Sequence, residues 1–469
     1  MHGPAGLAET GAPAAQGAAG HLPRAAFAWA AFEGFRNPAV VLITIYVFMP
    51  YYVAQVAATP VEGQALVATA GQIAGWAVAL TAPLMGLLVD RLGRRKPPLT
   101  FTVLGMVPLY AAMWWVMPDG PIGAALFLAI VAGKSILFAW TELFHNALLV
   151  PAAGARSSEA SGLGLALGNL VSVLMLVVLL WGFALPGTVD WGWVPAAPLF
   201  GIDQAAHEPA RMTGPVVAVS LLIGLSLILL FVPDAPATGM RLGIAARAAM
   251  GDLLSMLGEL RREREAAKFL FARMLYVDGK TALLLFGGVL AAGVMGWGTL
   301  EMLAYGILLS VMAVAGGFLA APLDRRLGPK GAVLLAIGVT SLVLIALLTS
   351  GPDRLAGIVI GPVAHGLWAG PFFTTWPELG FIGIAGISAI SITAAYASSR
   401  TLLTRLVPTE RLGTFFGLYA LSGTATMWLG PLLVALGTLW FQSQQGGLAM
   451  VLLLLGSGFL MLLTVRAPS

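Results

Sequence analysis

Gly86-Leu87-Leu88-Val89-Asp90-Arg91-Leu92-Gly93-Arg94-Arg95-Lys96 separates two apolar runs, 64–88 and 99–117. Each run is long enough to cross a bilayer as a helix, which takes ~20 residues. Between them stand one acid, four cations and two glycines. A segment so charged cannot lie in hydrocarbon, so it is a tight hydrophilic turn. Its cations place that turn in the cytoplasm.

The rest of the chain agrees with a membrane setting. Of its 469 residues, 59% are hydrophobic and 10% charged, whereas a soluble domain carries about 25% charged residues. The expected class is an all-α integral membrane protein. Cysteine is absent, which excludes disulfides, thiolate metal sites and cysteine nucleophiles. The net charge of +4 is accounted for by cytoplasmic loops and gives no reason to expect nucleic acid. Residues 1–24 read as a disordered cytoplasmic tail, because residues 1–22 lack the charged start and apolar core of a signal peptide.

Apolar periodicity and breakers give twelve spans, near 25–56, 64–88, 99–117, 122–149, 160–183, 213–232, 267–292, 299–321, 331–349, 379–404, 413–440 and 447–465. They divide into a six-helix half at 25–232, a cytoplasmic linker at 233–266 and a second six-helix half at 267–469. Nineteen of the 25 Lys and Arg then fall on one side, and only Arg211 and Arg354 on the other. The positive-inside rule therefore puts both termini in the cytoplasm.

Three connections are long. Residues 184–212 read as an external loop with interfacial Trp191 and Trp193. In the linker, Leu253, Leu254, Leu257 and Leu260 outline an amphipathic surface helix. Residues 350–378, punctuated by four prolines, read as a re-entrant or interfacial segment. Gly164-x-x-x-Gly168 and Gly413-x-x-x-Gly417 open spans 5 and 11, where small residues let helix backbones approach closely.

Polar groups inside spans are costly, so their positions carry information. They concentrate on four spans. Span 1 holds Glu33, Arg36 and Asn37. Span 4 holds Lys134, Glu142, His145 and Asn146. Span 7 holds Arg273, Asp278 and Lys280. Span 10 holds Thr393, Tyr396, Ser399 and Arg400. Glu33, Arg36 and Asn37 stand at i, i+3, i+4, on one helix face, and Glu142, His145 and Asn146 repeat that spacing. Each triad lies roughly 12 Å from its cytoplasmic end at 1.5 Å per residue, so the two face each other at similar depth.

One reading of these groups is a solute site with a proton relay. A buried carboxyl favours its neutral form unless a cation lies near. Glu33 with Arg36, and Glu142 with His145, are then expected to switch between paired and protonated states. Asp278, nearest the midplane, is the first coupling candidate. Lys280, Tyr396 and Ser399 complete the candidate site. The other reading is a set of static ion pairs that lock helices together. Arg273 and Arg400 read as anchors that snorkel to the cytoplasmic surface.

The opening stretch closely resembles the signature loop between helices 2 and 3 of the major facilitator superfamily. The resemblance rests on Gly86, Asp90, Arg91, Gly93, Arg94 and Arg95. A degraded second copy follows at Asp324-Arg325-Arg326-Leu327-Gly328-Pro329-Lys330, with Ala320 in place of the first glycine. Within the superfamily, several stretches resemble the autophagy-related vacuolar amino-acid effluxers and their bacterial relatives. These are Phe415-Phe416-Gly417-Leu418-Tyr419-Ala420-Leu421-Ser422-Gly423, Tyr276-Val277-Asp278-Gly279 and Phe144-His145-Asn146-Ala147-Leu148-Leu149-Val150-Pro151. Span 1 departs from the family's Asp-Trp-Ala-Asn with Phe32-Glu33-Gly34-Phe35-Arg36-Asn37, and Thr424 replaces an expected lysine.

The resemblance implies two pseudo-symmetric halves that rock around a central cavity lined by spans 1, 4, 7 and 10. It also implies that the Asp90 loop, with Asp324 and Arg325 as its counterpart, gates the cytoplasmic side. Asp90 is suited to meet the positive end of span 11 near residues 412–417. The expected activity is proton-linked movement of a small polar solute, an amino acid or a peptide, with export favoured. Sugar or organic-acid symport, with a proton or sodium as coupling ion, is the alternative, followed by a non-transporting receptor. No cofactor, metal or enzymatic activity is expected, because the five histidines are scattered. The expected partners are the solute and the lipid bilayer, with the chain a monomer in a bacterial inner membrane.

Overall fold

A computed structural model describes residues 22–234, 236–360, 367–408 and 411–466, with the side chains of Asp90, Ala155, Ser158 and Gly413 outside that description. Eleven helical stretches in it are long and apolar enough to cross a membrane. The eighth, Thr299–Leu348, has 50 residues. At 1.5 Å per residue it measures about 75 Å, more than twice a hydrocarbon core of about 30 Å. Gly328 breaks it, with φ 70° and ψ 157°, and Pro329 follows. The stretch is therefore two spans, which makes twelve among the described residues.

Taken in order, span 1 is Arg24–Val56 and span 2 is Pro60–Leu92. Span 3 starts at Lys96 and span 4 is Ala124–Ala147. Span 5 is Ser157–Leu179 with a π-helical end at Leu180–Ala184, and span 6 is Thr213–Phe231. Span 7 is Arg264–Met295. Spans 8 and 9 flank Gly328. Span 10 is Trp376–Leu406. Span 11 comes in two pieces, Leu412–Thr424 and Leu429–Phe441. Span 12 comprises Gln444–Ala449 and Val451–Leu463. These bounds lie within a few residues of the apolar runs.

Span 1 is not a regular helix. Ala39–Tyr46 and Tyr52–Val56 are π-helical. Pro38 and Pro50 lack the N–H that an α-turn would use, so the ladder widens around them. Gly164 and Gly168 do what their spacing predicts. A Cβ at Gly164 would press on the Trp29 ring, and one at Gly168 would just touch Asn37 and Glu33. Span 5 thus lies close against span 1.

The halves meet at the end remote from the arginine-rich loops. There the Gln64 amide of span 2 donates to Thr438 Oγ1 at 2.7 Å and to the Gln444 carbonyl at 3.1 Å. Trp76 stacks on Trp428 with centroids 4.0 Å apart. Gly75 lets span 2 lie on the break in span 11, since a Cβ would stand 2.5 Å from the Trp428 backbone. Gly288 touches the Ile45 carbonyl in the same close manner, and Gly306 packs on the Tyr46 ring.

At the arginine-rich end a helix, Leu242–Glu259, lies between the halves. Arg91 pairs with its Asp252, the Nε–Oδ2 distance being 3.1 Å. Arg411 pairs with Glu263 at 2.8 Å. The four leucines of the amphipathic pattern do not share one environment: Leu254 and Leu257 are exposed and Leu253 and Leu260 half-buried, while Ala245 and Ala249 are buried. Asp234 accepts the backbone N–H groups of Arg95 and Lys96 at 2.8 and 3.3 Å and so caps span 3. The proposed docking of Asp90 on span 11 falls on a side chain outside the described residues.

Two connections gain detail. Within 350–378, expected to be re-entrant or interfacial, Arg354–Leu355 pairs with Ile358–Val359 in a small antiparallel hairpin. Ala356 and Gly357 at positive φ close it. Its exposed Ile358 and Val359 suit an interfacial position. Arg211, assigned to the external loop, is 5% exposed. Its Nε donates to the Trp114 carbonyl at 2.7 Å and its guanidinium covers the Trp114 ring.

Candidate functional site

The first polar cluster joins spans 1 and 4. Helical spacing puts Trp29, Glu33 and Arg36 on one face of span 1. Arg36 Nη2 donates to Glu33 Oε1 at 2.8 Å and Nε to Oε2 at 3.2 Å. Its Nη1 lies 3.6 Å from Glu142 Oε2, and its guanidinium sits over the Phe138 ring. Arg36 is buried, yet the Glu142 side chain is 53% exposed. The cluster therefore runs from the protein interior to an accessible acid.

His145 closes this cluster from span 4. Its ring stacks on Trp29 with centroids 4.3 Å apart and an interplanar angle of 11°. Nε2 lies 2.9 Å from the Trp29 carbonyl. A carbonyl only accepts, so Nε2 carries the proton. The Trp29 indole in turn donates to the His145 carbonyl at 2.7 Å, and this reciprocal pair fixes the ring. In the neutral ring Nδ1 is then an acceptor. It is buried with no hydrogen-bond partner, and Glu33 Oε2 stands 3.6 Å away.

The second cluster joins spans 7, 10 and 11. Arg273, Tyr276 and Lys280 stand at i, i+3, i+7 and share a face. Arg273 Nη1 donates to the Tyr419 carbonyl at 2.7 Å and to Ser422 Oγ at 2.6 Å, and the guanidinium lies 3.5 Å from the Tyr419 ring centroid. Arg273 was expected to snorkel, but it is buried. The Tyr419 ring and the Ser422 hydroxyl draw it inward. Arg400 is exposed, as an anchor would be. Tyr276 shares a hydrogen bond with Ser399 at 2.7 Å, and Tyr396 one with Thr281 at 3.3 Å. Lys280 Nζ sits 3.9 Å from the Tyr396 ring centroid.

Not every candidate joins these clusters. Two residues apart on a helix means a rotation of about 200°. Asp278 therefore points away from Lys280 and accepts the Gly430 N–H at 2.7 Å. Asn37 donates to the Gly168 carbonyl and to Ser172 Oγ, both at 3.0 Å, which ties span 1 to span 5. Lys134 is buried and donates to Thr44 Oγ1 at 3.0 Å. Asn146 is exposed. Of the loop residues, Arg94 and Arg325 are exposed, Gly86 packs near Leu143, and Asp324 Oδ1 is buried without a hydrogen-bond partner.

Trp29, Phe138, Thr44 and Tyr419 were not singled out as functional beforehand. Trp29 stands four residues before Glu33, so helical spacing alone would have found it. Phe138, Thr44 and Tyr419 meet their partners across helix pairs and leave no local signal.

The comparisons with known proteins agree with this architecture. The family described as "Vacuole effluxer Atg22 like" matches residues 152–469, and the chain belongs to it. No curated protein matches. Among solved structures, the nucleoside transporter NupG is 12% identical with a TM-score of 0.60, over 94% of this chain and 97% of that one. A bacterial homolog of the human lysosomal transporter Spinster, inward-facing and unoccupied, is 15% identical with a TM-score of 0.62, over 96% and 100%. The xylose transporter XylE from E. coli, inward open, is 12% identical with a TM-score of 0.59, over 95% and 96%. At such identities the likeness shows the fold. The protein is a multi-pass membrane transporter of the major facilitator type, not an enzyme.

Proposed function

We propose that this transporter exports a small polar solute, an amino acid or a peptide, by alternating access coupled to proton movement. The observation that carries the coupling is the 3.6 Å approach of His145 Nδ1 to Glu33 Oε2. Because Nε2–H is committed to the Trp29 carbonyl, a neutral ring turns a lone pair toward a carboxylate. Two acceptors that close repel, and one proton between them turns repulsion into a charge-assisted bond. The groups around them are Arg36 on Glu33, and Glu142 on Arg36. Glu142, half exposed, offers the proton a way in.

The family match supports solute efflux, and the charge on both clusters supports a polar cargo. The contacts at the Gln64 end, with Glu142 accessible, support an inward-facing state. The arginine-rich ends belong in the cytoplasm by the positive-inside rule, with both termini inside and a bacterial inner membrane as the setting.

The test is transport in liposomes loaded with a mixture of radiolabelled amino acids. An imposed pH gradient should drive their net movement by the wild type. His145→Gln keeps an amide N–H for the Trp29 carbonyl and removes the titrating nitrogen. It should lose gradient-driven movement and keep solute exchange. Undiminished gradient-driven movement in that variant overturns the proton site.

A further inference from the structure

We propose that Lys280 is the receptor for the solute's carboxylate, so that the solute is an amino acid or peptide held by its acid end. This deepens the transport reading above and rests on it. Lys280 is fully buried, and its Nζ has no hydrogen bond and no acidic partner among the described residues. An ammonium group carries three N–H donors. A buried cation left without an acceptor is destabilising, and such groups inside a membrane mark function.

The surroundings supply everything but the anion. The Tyr396 ring centroid is 3.9 Å from Nζ and that of Tyr276 is 5.3 Å away. These faces attract a cation but accept no strong hydrogen bond. Their hydroxyls are turned to Thr281 and Ser399. The nearby acid, Asp278, is committed to the Gly430 N–H on another face of span 7. Arg273, two turns before Lys280 on the same face, adds a second positive charge.

One turn further along the same helices a narrow cavity opens. Leu283, Leu284, Leu309 and Ile392 line it together with Tyr46, Tyr305 and Ser388. A carboxylate on Lys280 would leave the rest of the solute facing this cavity. A sugar or nucleoside would leave the ammonium uncompensated.

Stability gives the test a sign. If Lys280 were a structural element, removing it would weaken the empty protein. If it waits for an anion, Lys280→Met should raise the melting temperature of the empty protein, since it removes a buried amine that has no acceptor. Purified full-length protein would be titrated with the twenty amino acids, with the amides of leucine and phenylalanine, and with xylose and uridine. We expect leucine or phenylalanine to bind and their amides to bind about 10- to 100-fold more weakly, the worth of a bond to a charged group. Lys280→Met should lose that discrimination, and Lys280→Arg should keep it. Binding of no carboxylate in the set, or equal binding by Lys280→Met in a less stable empty protein, overturns the proposal. Counterflow in liposomes with the same solutes separates this from the broader reading. Movement of xylose or uridine unaffected by Lys280→Met leaves transport standing and the carboxylate site refuted, whereas movement of no solute refutes transport itself.

Discussion

The Asp278 carboxylate accepts the Gly430 backbone N–H at 2.7 Å, at the point where span 11 restarts after its break. Residues 425–428 form the turn between the two pieces. The first N–H groups of the second piece have no carbonyl within their own helix, and they form its positive end. Gly430 also lacks a Cβ where one would press on Asp278 and Ala282. Span 7 thus holds span 11 at its discontinuity.

Asp278→Ala should lower stability by about 1–3 kcal/mol, because it leaves a buried N–H without an acceptor. Asp278→Asn retains an amide oxygen and should lose less. Melting of the detergent-purified variants measures both. Gradient-driven transport should survive in Asp278→Asn, and its loss there would move the coupling proton from the His145–Glu33 pair to Asp278.

Asn37 behaves in the structure as a strut between spans 1 and 5. Asn37→Ala removes two hydrogen bonds, worth about 0.5–1.5 kcal/mol each. Asn37→Asp should cost more, since an acceptor would then face the Gly168 carbonyl. Both variants should melt earlier than the wild type and keep its order of solute preference in competition assays. A changed order would place Asn37 on the solute.

Gly75 controls how closely the halves meet at the Gln64 end. A side chain at Gly75 would strike the Trp428 backbone. Gly75→Leu should therefore open that end and shift the population toward the opposite-facing state. The chain has no cysteine, so a single cysteine at Ala68, buried one turn after Gln64 on the same face as Gly75, reports on access. Its labelling by a membrane-impermeant maleimide should rise severalfold in the Gly75→Leu background. Unchanged labelling would show that this contact does not gate the end.

Gly93 sits at φ 87°, and a Cβ there would collide with the Pro236 carbonyl. Both facts oppose any L side chain. Gly93→Ala should destabilise the loop by more than about 1 kcal/mol. It should also release the adjoining linker, whose Thr238 donates to the Arg91 carbonyl at 2.7 Å. Trypsin should then cut after the exposed Arg94 earlier in the variant than in the wild type.

Much of the architecture was legible along the chain. Apolar runs near 20 residues leave few alternatives to membrane-spanning helices. The glycine–acid–arginine loop marked the superfamily, and its half-chain repeat marked the two halves. Even the close packing of spans 1 and 5 was visible in Gly164 and Gly168. The second break was also written locally, in Gly328 followed by Pro329. The hairpin at Arg354–Val359 was harder to see, because its two-residue strands are too short to show a period.

By itself, the sequence determined which groups the membrane must tolerate and on which spans they lie. Hydrophobicity is a property of each segment, and so is the number of charges that must leave water with it. Pairing depends on what stands opposite, and only the tertiary structure decided that. Glu33 and His145 are 112 positions apart, and their meeting requires spans 1 and 4 to lie side by side. Asp278 and Lys280 look alike on paper, two polar residues in one span. The helix turns them to different neighbours, so one caps span 11 while the other is left between two tyrosine rings without an acceptor.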